Sequence, residues 1–231
     1  MTLGDLVLKN NMIMTEKDSR SVWFVRHGNR LDFVDPTWAQ SVDYPIDSPL
    51  APDGHVQAGE TGAFLKDQSI SHIFASPFLR TMETASAIAE ALDLPIKVEP
   101  GLREKHLLRW FPKYPEVLSI QELARKFPRV DEGYTPRFEP QWPETEAQAG
   151  ERGMQTVNRL VNDFSDHLLI VSHGGAIGNL CRGLIPSGEL DIHTPMCCLI
   201  ELKQTNSNWA VKRSGHDTTH LSQTEDEVRI F

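Results

Sequence analysis

From position 21 onward, short apolar or β-branched runs alternate with segments in which apolar residues recur at helical spacing. The runs at 22–25, 72–75, 96–98, 168–172, 196–202 and 209–212 predict strands. Helices are predicted over 53–66, over 77–92, where Met82, Ala85, Ala89 and Leu92 share a face, and over 175–184, where Ile177, Leu180, Cys181 and Leu184 do. A further helix falls within 144–167. This alternation predicts a three-layer α/β/α sandwich around a mostly parallel sheet. Leu168-Leu169-Ile170-Val171 is apolar at every position, as a central strand covered on both faces requires.

Two stretches break the pattern. Residues 1–20 mix Lys, Asn, Asp and Met without periodicity and read as a flexible extension, which leaves one folded domain over 21–231. Between 107 and 143 the composition turns to Pro, aromatics and mixed charge, with Phe111-Pro112-Lys113-Tyr114-Pro115 and Glu139-Pro140-Gln141-Trp142-Pro143. Prolines at this density break any long helix, leaving room for one only over 116–127. The region reads as a lid-like insertion over the site, the alternative being a solvent-facing elaboration.

The chain has 231 residues, 39% of them hydrophobic, enough for one sizeable core. A formal charge of −9 argues against nucleic acid or an anionic membrane as partner, so an anionic ligand needs a local basic pocket. No run approaches the roughly 20 apolar residues of a membrane span, and 1–20 lacks the apolar core of a secretory signal; a cytoplasmic location is expected. The three cysteines, Cys181, Cys197 and Cys198, have no paired metal-ligand spacing and are expected in the core as thiols.

Three motifs follow three predicted strands, and in open α/β sheets ligands sit outside the carboxyl ends of strands. After the first strand comes Arg26-His27-Gly28-Asn29-Arg30. An imidazole with a free lone pair attacks phosphorus in line, so His27 is the candidate nucleophile, with Arg26 and Arg30 offering planar paired donors to phosphate oxygens. After the second comes Ser76-Pro77-Phe78-Leu79-Arg80-Thr81. Ser76 has the chemistry of an N-cap and Pro77 that of a first helical position. Arg80 then lies in the first turn, against the helix dipole unless an anion is bound there. After the fourth comes Ser172-His173-Gly174-Gly175, which puts His173 at a helix N-terminus as a donor to a nonbridging oxygen. Each motif alone also admits a plain reading: a strand-end histidine held for packing, or an Arg80 turned outward to Glu83 or Glu90.

A phosphate-ester hydrolase also needs a proton donor for the leaving oxygen. Glu104 is the candidate, carried back from the third strand through Glu99-Pro100-Gly101-Leu102-Arg103; its plain alternative is a surface acid paired with Arg103 or Lys105, and Asp32 and Glu83 are weaker choices. A cysteine-phosphatase loop is excluded, since the sixth residue after each cysteine is Ser187, Lys203 or Gln204 and never Arg. The nine histidines form no H-E-x-x-H pair, and neither a catalytic metal nor another cofactor is expected. The late Gly174-Gly175-Ala176-Ile177-Gly178 run does not have dinucleotide-fingerprint spacing.

With these residues in place the chain resembles the histidine phosphatase (phosphoglycerate mutase-like) superfamily, carrying its R-H-G, S-P-x-x-R-T, L-x-E and S-H-G motifs in order from Arg26 to Gly175. The resemblance implies a phosphomonoester hydrolase with His27 as phospho-acceptor, Arg26, Arg80 and His173 in the phosphate pocket, Arg30 assisting and Glu104 as acid/base. Residues 26–32 and 98–104 look like the phosphatase domain of the ubiquitin-associated, SH3-containing suppressor-of-signalling proteins, which implies aryl or peptide phosphates. Phosphoglycerate mutases carry Glu or Gln and then Ser or Thr where Asn29-Arg30 stands, and an aromatic is common where Lys105-His106 follow Glu104. The expected partner is a phosphate-ester substrate, small molecule or phosphopeptide, with a homodimer left open. The rivals are a phosphoglycerate-type mutase and a noncatalytic phosphoprotein-binding domain.

Overall fold

The computed structural model describes residues 19–223. Strand β1 (Ser21–Arg26) is buried along its whole length because both of its faces are covered. Val22 and Phe24 point into one apolar layer with Leu160, Ile170 and Ile177, while Trp23 and Val25 point into the other with Ile73, Ile88 and Val171. β4 (Leu168–Ser172) divides its residues the same way, the structural meaning of its uninterrupted apolar run. Each such side chain contributes about 1.5–3 kcal/mol by leaving water.

The remaining strands are β2 (His72–Ala75), β3 (Ile96–Val98), β5 (Leu199–Thr205) and β6 (Asn208–Ser214), in the sheet order β3-β2-β4-β1-β5-β6. β1 to β4 are mutually parallel, β5 runs antiparallel to β1, and β6 antiparallel to β5, so the sheet is mostly parallel as expected. Helices α2 (Pro52–Leu65) and α3 (Leu79–Leu92) cover one face; α5 (Glu146–Asp163) and α6 (Gly174–Leu184) cover the other. α1 (Leu31–Val34) is a single turn between β1 and α2.

Several boundaries move. β5 begins at Leu199 rather than 196, because Cys197 adopts a left-handed conformation (φ 51°) and its N–H donates to the Arg26 carbonyl at 3.1 Å, outside the strand ladder. α3 begins two residues after the expected start; the cause lies in the site. The expected extension at 1–20 falls outside the described residues up to position 18. Arg20, however, is tied by its guanidinium to the carbonyls of Val161, Phe164 and Asp166 and belongs with the folded part.

The proline-rich segment is not uniform. α4 (Ile120–Lys126) starts at a capping box, Ser119 with Glu122, and is shorter than the 116–127 expected. Leu123 and Phe127 join the apolar layer of Ile73 and Ile96, and Val130 bridges Ile96 in parallel, so this middle portion extends the sheet edge. The flanks at 106–114 and 141–144 instead lie against the turn that carries Glu104. All three cysteines are buried, and burial raises their thiols, Cys197 to about 12 and Cys198 to about 11. Among the described residues no helix is long and apolar enough to cross a membrane.

Candidate active site

β1, β2 and β4 release their chains at one edge. His27 N–H donates to the Ser172 carbonyl at 3.1 Å, Ser76 N–H to Val171 at 3.1 Å and Glu99 N–H to Ala75 at 2.9 Å, which brings the ends of four strands level. His27 and His173 therefore meet, with ring centroids 5.4 Å apart and the planes at 64°.

His27 is 3% exposed, and its Nδ1 lies 2.8 Å from the Gly28 carbonyl oxygen. A carbonyl only accepts, so Nδ1 carries the proton and Nε2 keeps the lone pair. Burial first, then the charges of Arg80 and Arg26, hold this ring well below the usual histidine range, so it stays neutral near pH 7. The loop beneath it is set by main chain against main chain: a Cβ on Gly28 would fall 2.6 Å from the Gly54 carbonyl oxygen, and one on Gly54 would fall 2.2 Å from that of Asn29. Asn29 is committed to α2, donating to Asp53 at 2.7 Å from its side chain and to Gln57 at 2.9 Å from its backbone.

Ser76 does not cap α3. Its hydroxyl sits 2.8 Å from His173 Nε2, and Pro77-Phe78 stay extended, so the helix starts at Leu79 with Phe78 as N-cap residue. A hydroxyl can donate or accept here; where it donates to Nε2, the His173 proton resides on Nδ1, a buried atom with no hydrogen-bond partner in the protein, and the ring then offers that N–H to an anion. The helix N-terminus is satisfied from elsewhere: Asp47 accepts the Leu79 N–H at 2.7 Å. Sequence reasoning missed this acid, which sits in an irregular loop with no periodic signal. It is fully buried, its other oxygen is unpartnered, and burial pushes it up to about 7. It also offsets part of the dipole conflict that Arg80 was expected to relieve only through a bound anion.

Arg80 is 1% exposed, and its Nε and Nη1 have no partner. Its guanidinium lies 4.3 Å from the Phe78 ring centroid, and Phe78 in turn meets His173 edge-on at 5.2 Å. The outward readings fail, since the Glu83 carboxylate is turned to the Leu50 N–H at 2.7 Å. Arg80 is the first charge to act on both histidines. Arg26 reaches the start of α6: a Cβ on Gly174 would stand 3.1 Å from its Cζ, and Nη1 donates to the Thr194 carbonyl at 2.8 Å. Arg30 is the sequence candidate the structure draws aside: it forks onto Asp32 at 2.9 and 2.5 Å and stacks on Phe33, although its charge still acts on both histidines.

Glu104 arrives through a 3-10 turn over Pro100–Leu102. The buried Glu99 carboxylate holds that turn, accepting from Gly101 N–H, Tyr134 Oη, Arg137 N–H and Phe138 N–H, and Ser172 Oγ donates to the Leu102 carbonyl at 2.8 Å. Glu104 is 3% exposed and accepts the Gly175 N–H at 3.1 Å, beside His173, and the Lys105 N–H at 3.0 Å. The pairing with Arg103 or Lys105 does not form: Arg103 donates to Tyr114 Oη and Lys105 pairs with Glu146. Among the described residues no three His, Cys, Asp or Glu side chains group as metal ligands.

Two neutral imidazoles, buried guanidiniums and one carboxyl thus gather at the carboxyl edge of a mostly parallel sheet, a set whose chemistry suits phosphoryl transfer. Residues 22–217 match the histidine phosphatase superfamily (branch 1), and the chain belongs to that family. It is 30% identical over 220 residues to a probable phosphoglycerate mutase (GpmB) of Erwinia tasmaniensis, covering 90% of this chain and 98% of that one. It is 27% identical to the ecdysteroid-phosphate phosphatase of Drosophila melanogaster, covering 83% of this chain but only 31% of that protein's length. The ecdysone phosphate phosphatase of Bombyx mori, solved with tungstate, superposes with a TM-score of 0.72 at 25% identity, covering 83% of this chain and 91% of that one.

Proposed function

We propose that this phosphomonoester hydrolase works through a phosphohistidine at His27. The observation that carries the reading is the commitment of His27 Nδ1 to the Gly28 carbonyl, which leaves Nε2 as a lone pair among buried cations. In the first step Nε2 bonds to phosphorus, the bond from phosphorus to the ester oxygen breaks, and Glu104 gives that oxygen its proton. In the second, Glu104 takes a proton from water as the water oxygen bonds to phosphorus and the phosphorus–nitrogen bond breaks. Inorganic phosphate leaves, and His27 and Glu104 return to their starting forms. Arg26, Arg80 and the His173 Nδ1–H neutralise the nonbridging oxygens in both steps, with Arg30 at the rim.

Selectivity then lies in the two loops around this cradle. A cavity of about 340 Å³ lies between the 31–50 loop and the start of the proline-rich segment, lined by Tyr44, Pro45, Ile46, Pro112 and Tyr114 among others. Rings and prolines at this size favour an aryl or other apolar leaving group over a sugar. The ecdysteroid-phosphate phosphatase relatives fit that preference; the probable mutase makes product analysis necessary. Incubation with phosphotyrosine peptide, steroid phosphate, sugar phosphate and phosphoglycerate should release inorganic phosphate, most rapidly from the apolar esters. A rearranged monophosphate as the main product would overturn hydrolysis. His27→Ala should abolish both turnover and covalent labelling by a radiolabelled ester, and retained turnover would remove the nucleophile.

A further inference from the structure

Arg152 on α5 is 8% exposed and takes no part in the phosphate cradle. Its five N–H groups are nonetheless all accounted for. Nε donates to Glu144 at 2.6 Å and Nη2 to the other oxygen of the same carboxylate at 2.9 Å. Nη1 donates to the carbonyls of Gly101 at 2.7 Å and Arg103 at 3.1 Å, and Nη2 also to that of Glu104 at 3.2 Å. Glu144 completes the grip beyond the acid: its carboxylate accepts the His106 N–H at 2.9 Å and its own N–H donates to the His106 carbonyl at 2.9 Å. One ion pair thus holds the main chain from 101 to 106, on both sides of Glu104. The Glu104 side chain is itself held by the Gly175 N–H of α6.

We propose that Arg152, with Glu144 as its counter-ion, is a positioning residue that sets where the Glu104 carboxyl stands relative to the departing oxygen. This rests on Glu104 being the acid/base. With every donor spent, Arg152 has none left for substrate. Three of the five go to carbonyls between 101 and 104, which a simple staple between α5 and the sheet would not require. Thr156, one turn further along α5, closes the same contact, since a Cβ on Gly101 would stand 2.5 Å from its Oγ1. A planar fork serves three carbonyls and a carboxylate at once; a lysine ammonium does not.

The test uses leaving groups. 4-Nitrophenolate departs without a proton, ethoxide does not, and kcat/KM reads only the steps up to phosphohistidine formation. Arg152→Lys keeps a cation beside Glu144. It should lower kcat/KM for ethyl phosphate by roughly 10-fold or more while leaving that for 4-nitrophenyl phosphate within about 3-fold, in keeping with the usual size of general-acid effects. Glu104→Gln should show the same selectivity more strongly, and adding Arg152→Lys to it should change nothing further. Equal losses on both esters, or an Arg152→Lys effect that persists in the Glu104→Gln background, would overturn the proposal. If Glu104→Gln itself shows no selectivity, the acid assignment falls and the proposal with it; selective Glu104→Gln beside unselective Arg152→Lys removes the positioning role alone. Should Arg152→Lys not fold, Arg152→Met with Glu144→Gln, which leaves no buried charge, carries the same comparison and the same outcomes.

Discussion

Arg80→Met should make the protein more stable and nearly inactive. The guanidinium is buried with two nitrogens unpartnered, and burial brings it down to about 9 from 12.5. That drop corresponds to about 5 kcal/mol against holding the cation in place. Methionine keeps the stem on Phe78 and removes the charge; it forfeits a cation–π contact of about 2 kcal/mol, for a net gain of about 2–3 kcal/mol. At about 2–4 °C per kcal/mol for a chain of this size, Tm should rise by roughly 5–10 °C. Loss of a principal oxyanion donor should cost on the order of 100- to 1000-fold in phosphate release. Thermal unfolding with and without tungstate, a tetrahedral phosphate mimic, joins the two effects. Wild type should be stabilised by the anion, whereas the variant should start higher and respond little. A variant that unfolds earlier than wild type yet still turns over would refute the idea that Arg80 is kept, at a cost in stability, for a bound anion.

The two histidines set a pH dependence of definite sign. Both rings are held below 6.5 in the folded state, chiefly by burial, so below that pH the unfolded chain takes up protons that the native one does not. The two rings should therefore contribute a loss of stability on acidification from pH 7 to 5, by up to about 1.4 kcal/mol per pH unit for each, joined by His106 and opposed by Asp47, whose carboxyl is raised to about 7; in urea unfolding His27→Ala should show a slope shallower than wild type by up to the share of one ring. The acid limb of kcat/KM should lie below pH 6.5; a limb above it would show that the nucleophile is not the depressed imidazole. Gly175→Ala should leave Tm within a few degrees, since the new methyl meets only a side-chain end, but it would stand 2.6 Å from Glu104 Oε1 and displace it. Alkyl phosphate hydrolysis should then fall by roughly 10- to 100-fold, and an unchanged rate would argue against Glu104 as the proton donor.

How much of this was legible in the sequence depended on whether a residue's role is local. The strands showed because burial on two faces leaves a continuous apolar run, as at 168–171; His27 and His173 showed because each stands immediately beyond such a strand, and Arg80 because it lies in the first turn of the helix that follows one. Glu104 was reachable only by counting back along a turn to the sheet edge. Asp47 and Arg152 were not reachable: one acts from an irregular loop on a helix 32 residues later, the other across 48–51 residues onto backbone carbonyls, and neither relation leaves a periodic trace. Ser76 was misassigned for a related reason. Its capping chemistry is real, but His173, 97 residues away, claims the hydroxyl first. The proline-rich segment could not be divided from composition, since its middle portion serves the sheet edge through Leu123 and Val130 while its flanks lie against the turn that carries Glu104.

The contact between Gly28 and Gly54 has a consequence for how firmly the reactive ring is seated. Where two stretches of main chain abut with only hydrogen atoms between them, position is fixed by exclusion and not by attraction. Neither ionic strength nor protonation loosens such a seat. The position of the residue 27 imidazole is thereby insulated from changes of charge around it, including those of the proposed cycle, and adaptation to new esters would fall to the loops around it.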